Sequence, residues 1–118
     1  MDINKLLTLF FSAPSSDPVI KEGTVAKDAH TIRVVWVEIE RKDQNGEITG
    51  YTVFYNESDH SKESSKNTSA NKTRILIDGL KPYTTYCIKV AGYTKVGRSP
   101  LDAACYFVTT LQKGTYLL

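Results

Sequence analysis

Apolar residues in this chain recur at every second position, and that spacing sets what it can become. Ile32, Val34 and Trp36 share one side of the segment from Thr31 to Glu38, and Tyr51, Val53 and Tyr55 share one side of 48–55. In 85–94, Tyr86, Ile88 and Val90 alternate with Cys87 and Lys89. Side chains of an extended chain point to opposite faces in turn, so each segment predicts a half-buried strand. No segment of useful length places apolar residues at i, i+3, i+4 and i+7, the spacing of an amphipathic helix. Seven tyrosines and four phenylalanines, with many Val, Ile and Thr, favour the same answer. The 118 residues suffice for one domain, and all-β is the expectation.

Residues 1–17 differ from the rest of the chain. A short apolar run, Leu6-Leu7-Thr8-Leu9-Phe10-Phe11, precedes Ser12-Ala13-Pro14-Ser15-Ser16, so the segment reads as an N-terminal extension or linker. A secretory leader is the competing reading, weakened by a short apolar stretch and by Asp2. The domain proper is placed at 18–111, with 112–118 a C-terminal tail or linker. Val19-Ile20 and Thr24-Val25-Ala26 around Gly23 make a weak first strand. Strands are then predicted at 31–38, 48–55, 73–77, 85–94 and 103–110. Arg41 to Gly46 reads as a polar loop ending in an Asn-Gly turn, and 56–72 as a long polar loop or ragged edge strand. Between the last two strands, Gly97 is suited to a positive φ and Pro100 cannot continue a central ladder. The count is about seven strands and no helix.

Trp36, then Gly46-x-Ile48-x-x-Tyr51-x-Val53-x-Tyr55, then Leu80-x-Pro82-x-Thr84-x-Tyr86-x-Ile88-x-Val90-x-Gly92 and Gly97-x-Ser99-Pro100 form an ordered set at domain-wide spacing. Together they resemble a fibronectin type III domain over about residues 18–111. The resemblance implies a seven-stranded immunoglobulin-like β-sandwich of two antiparallel sheets, A-B-E and C-C′-F-G. It implies a core built on Trp36, Tyr51, Leu80 and Tyr86. It also makes Tyr86 a tyrosine corner, its hydroxyl bonded to backbone near Leu80 or Pro82. The chain departs from the family's usual look after Trp36, where Glu38-Ile39-Glu40 replaces the customary prolines. The F–G loop, Lys95-Val96-Gly97-Arg98-Ser99, lacks the Arg-Gly-Asp tripeptide through which some such domains bind integrins, and the Trp-Ser-x-Trp-Ser box of cytokine-receptor modules is missing.

Residues that carry catalysis are scarce. His30 and His60 are the only neutral-pH bases, each in a loop and outside any nucleophile motif. No Cys/His spacing suits zinc, no acidic loop suits calcium, and no glycine-rich loop suits phosphate. The expectation is no enzyme, no cofactor and no metal. A net charge of +2, with basic residues scattered along the chain, gives no case for nucleic acid. No apolar run approaches the ~18 residues that direct membrane insertion needs. The chain is expected to be a monomer in isolation, with other protein domains as partners.

Three features remain. Asn56-Glu57-Ser58, Asn67-Thr68-Ser69 and Asn71-Lys72-Thr73 are permissible N-glycosylation acceptors at Asn56, Asn67 and Asn71, clustered in one polar stretch. The competing reading is a Ser/Thr/Asn-rich loop that matches by composition. Second, Cys87 and Cys105 both face outward on neighbouring antiparallel strands, and a hairpin centred on Val96 sets them directly opposite each other. A cross-strand disulfide is therefore favoured over two partly covered thiols. Third, Phe54 and Phe107, with Tyr93 nearby, share that outer face and form a candidate partner patch, unless they merely cover one another.

These features point to a non-catalytic extracellular interaction or spacer module of a larger cell-surface adhesion or receptor glycoprotein. The alternatives are an intracellular scaffold module of a multi-repeat, muscle-type protein, or an accessory domain of a secreted carbohydrate-active enzyme.

Overall fold

A computed structural model of the chain describes residues 12–58 and 62–115. Eight strands follow in order: β1 (Val19–Ile20), β2 (Val25–Ala26), β3 (Ile32–Val37), β4 (Gly50–Glu57), β5 (Ser64–Ser69), β6 (Arg74–Ile77), β7 (Thr85–Tyr93) and β8 (Tyr106–Thr109). One turn of helix, α1 (Arg41–Gln44), lies between β3 and β4. All pairings are antiparallel, in two sheets: β1 and β2 with β3 and β6, and β5-β4-β7-β8. This is the A-B-E and C′-C-F-G sandwich.

β1 and β2 are halves of one edge strand, broken at Gly23, whose φ of 102° few other residues tolerate. Thr24 repairs the ladder at the break. Its buried hydroxyl accepts from the Val35 amide at 2.9 Å and donates to the Val35 carbonyl at 3.0 Å. The inward stripes of the two sheets meet in a core of Ile32, Val34, Trp36, Tyr51, Val53, Ile77, Leu80, Tyr86, Ile88, Val90 and Val108. Trp36 is 1% exposed and its ring lies 5.4 Å from that of Tyr51, tilted by 59°. At the corner before β7 the Tyr86 hydroxyl accepts from the Lys81 amide at 2.9 Å. Thr110 closes the same corner: its hydroxyl donates to the Lys81 carbonyl at 2.6 Å and accepts from the Thr84 amide at 2.9 Å.

Several local expectations need correction. The loop at 41–46 contains α1, ended by Asn45 in the left-handed conformation (φ 56°). Part of the polar stretch 56–72 is a regular edge strand, β5, paired with β4 from Gly50↔Ser69 to Tyr55↔Ser64. The last strand begins at Tyr106 and not at Ala103, because the Asp17 carboxylate takes the amides of Leu101 (2.7 Å) and Ala103 (3.2 Å) out of any ladder. Gly97 does not adopt a positive φ, and a Cβ there would meet Ala13 at an ordinary contact of 3.7 Å.

Residues 12–16 run along the end of the sandwich formed by α1 and the β7–β8 loop. Ser12 and Ser15 amides donate to the carbonyls of Asn45 and Asp43, both at 2.9 Å, and the Thr94 hydroxyl donates to the Ser12 carbonyl at 2.9 Å. At that end Ile39, 2% exposed, plugs the β3–α1 connection. A Cβ on Gly92 would approach its Cδ1 to 2.6 Å, so the glycine leaves space for the isoleucine of the Glu38-Ile39-Glu40 segment that replaces the family's customary prolines.

Candidate interaction surface

The outer face of the β5-β4-β7-β8 sheet carries most of the residues singled out from sequence. Cys87 and Cys105 form a disulfide with Cα atoms 5.1 Å apart. The register differs from that of a hairpin centred on Val96, since Cys87 pairs with Phe107 and Ile88 with Tyr106. The bond forms nonetheless because Cys105 sits one residue ahead of β8, where the chain is not yet committed to the ladder and can lean back towards Cys87.

Phe54, Tyr93 and Phe107 all lie on this face, but the ladder keeps them apart. Phe54 opposes Lys89, Tyr93 opposes Gly50, and Phe107 lies across β7 from β4, beside Cys87. Phe107 is 60% exposed. Phe54 is half-buried, with the Arg98 guanidinium 5.9 Å from its ring centroid, within cation–π range. On the ladder the aromatics are thus interspersed with Lys89 and the disulfide, and Arg98, bridged to Tyr93, reaches over Phe54. Arg98 from the β7–β8 loop belongs to this surface, which its place among loop cations did not announce.

The three sequon asparagines fall in different settings. Asn67 is exposed on β5, and its Oδ1 accepts from the Thr52 hydroxyl at 2.7 Å. Asn71 is exposed in the β5–β6 turn, with Oδ1 accepting from Ser69 at 2.7 Å. Each leaves Nδ2, the atom that carries an N-glycan, as the other end of an exposed amide. Asn56 is half-buried in β4 opposite Cys87.

His30 is a structural residue: Nδ1 lies 2.8 Å from the Leu80 carbonyl oxygen, joining the β2–β3 turn to the β6–β7 corner. The His30 amide also donates to Asp28 Oδ1 at 2.8 Å, and that bond is the main cause holding the Asp28 carboxyl below its ordinary value. His60 lies outside the described residues. Among the described residues no group of three or more His, Cys, Asp or Glu is placed to hold a metal ion, and no helix is long and apolar enough to cross a membrane.

Fold and surface together define a β-sandwich module with a disulfide stapling the entrance to its last strand. The sequence profile of the Fibronectin type III domain matches residues 16–108, and the chain belongs to that family. Among its relatives, Protein sidekick of Drosophila melanogaster is 30% identical over 103 residues, 86% of this chain and 5% of that protein. Receptor-type tyrosine-protein phosphatase F of Bos taurus is 39% identical over 72 residues, 61% of this chain and 4% of that protein. Neural cell adhesion molecule L1 of Takifugu rubripes is 24% identical over 95 residues, 74% of this chain and 7% of that protein. The chain thus spans well under a tenth of the length of these relatives. A crystal structure of the chicken CNTN1 FN1-FN3 domains superposes with a TM-score of 0.72 at 22% identity, covering 85% of this chain and 33% of that one. That likeness concerns the fold.

Proposed function

We propose that this chain is a non-catalytic, extracellular interaction or spacer module of a larger cell-surface adhesion or receptor glycoprotein. The observation that carries the reading is the Cys87–Cys105 disulfide on an accessible sheet face. Such bonds persist in oxidising compartments and are rare in the cytosol. Similarity to proteins named as receptors and adhesion molecules supports the same setting. In this reading Asn67 and Asn71 carry N-glycans, and Asn56 is a third acceptor modified before β4 folds. The sandwich presents Phe107 and the Phe54–Arg98 pair to other protein domains, while residues 18–111 form the module and 1–17 and 112–118 connect it to its neighbours.

The test is secretion of the chain from mammalian cells. Its mass should fall on enzymatic deglycosylation, and the unreduced, denatured protein should show no titratable thiol. Glycan-free material with two thiols per chain would overturn the extracellular assignment.

A further inference from the structure

On the other side of the molecule, the β1/β2-β3-β6 sheet gathers basic residues that are far apart in sequence. Lys27 follows β2, Arg33 is on β3, Lys72 lies in the β5–β6 turn and Arg74 is on β6. All four line one open groove of about 690 Å³. Among the described residues no carboxylate lines it, and none of the four makes an ion pair. The chain carries 13 acidic residues against 15 basic ones, so this is a local segregation of charge within a nearly balanced molecule. Four cations lining one groove repel one another, and a groove of single sign concentrates counter-ions.

An apolar strip adjoins the groove, with Leu76 lining it and Val25 beside Arg33. Val25, Arg33 and Leu76 are neighbours across three strands, and Val25 and Leu76 are 40% and 51% exposed. Arg74, opposite Val35, places a second guanidinium on the sheet. Arg33 commits its Nε to the Gly23 carbonyl at 3.0 Å, which fixes the side chain and leaves its terminal nitrogens for a ligand. Cations contributed by a loop, a turn and two strands line the groove along its length and suit repeated anionic groups better than a single small anion. A linear ligand carries such groups, and sugar rings lying between them fit against exposed Val25 and Leu76.

We propose that this groove binds a sulfated polysaccharide. The proposal rests on the extracellular reading above, where such polymers are found, but its test is independent of it. Asn71 also lines the groove, so the experiment uses protein without N-glycans. The full chain is made in bacteria, oxidised to the disulfide form, and titrated with a heparin oligosaccharide over a series of NaCl concentrations. Lys27→Ser/Lys72→Ser/Arg74→Ser is compared with Arg41→Ser/Lys42→Ser/Lys113→Ser, which removes the same charge elsewhere.

The groove variant should lose about tenfold or more in affinity at physiological salt. Its plot of log K against log salt should also flatten by about two to three, as each lost contact releases one counter-ion fewer. The control variant should stay within about twofold of wild type, as loss of exposed charge outside a contact site has little effect. Lys72→Ser alone, in an exposed turn, should move the same way by less. Equal losses in both triple variants would overturn the proposal, because net charge would then explain the binding. Undiminished binding of desulfated heparin, or equally tight competition by duplex DNA, would overturn the sulfated-polysaccharide assignment.

Discussion

Single residues decide whether the two sheets lock. Tyr86 does two jobs: its ring is buried in the core and its hydroxyl accepts from the Lys81 amide. Tyr86→Phe keeps the ring and strands that amide, so it should cost about 1–3 kcal/mol. Urea unfolding should show an earlier midpoint at unchanged m-value, and an unshifted midpoint would remove the corner from any account of stability. Trp36 and Tyr86 were legible because both stand on an alternating stripe, and alternation is a local property. Ile39 was not. It follows Glu38 and precedes Glu40, and its Cδ1 packs into the space beside Gly92, fifty-odd positions on, where a side chain would make it shift. Arg98 was equally hidden, since its placement over Phe54 follows from the path of the β7–β8 loop.

At the level of elements, legibility tracks burial. β3, β4 and β7 are central strands, each with one face in the core, and their patterns declared them. β5 is built from Ser, Lys, Asn and Thr at an open edge; nothing apolar marks it, and backbone pairing to β4 is what holds it. Gly50 tests that pairing. A Cβ there would come within 2.7 Å of the Thr68 carbonyl oxygen, a backbone atom that cannot move without shifting β5. Gly50→Ala should accordingly loosen β5 selectively. Hydrogen exchange should rise at the amides of 64–69 while protection in β3 and β7 changes little, and uniform protection across the molecule would contradict it. The start of β8 is hidden for a related reason. Ala103, Ala104 and Cys105 look like strand residues, but a carboxylate from the other end of the chain, Asp17, holds the Leu101 and Ala103 amides.

Across the whole molecule, the sequence announced a sandwich and a cysteine pair, while the gathering of four cations along one groove had to wait for the fold. Lys27, Arg33, Lys72 and Arg74 read as scattered because neighbours on a sheet need not be neighbours in a chain. The disulfide acts at this scale. It closes a loop of 18 residues, and reducing it should lower stability by about 3 kcal/mol in the chain-entropy picture. Thermal melts with and without reductant measure the change, and coincident melts would count against it. The same bond has a mechanical meaning. Pulled by its two ends, the oxidised domain cannot release the segment between Cys87 and Cys105. Its contour length on rupture should be shorter than that of the reduced form by about 60 Å, at ~3.4 Å per residue. If the module is strung in series as proposed above, the domain is a shorter tether under load, with a reserve of length released only by a reductant.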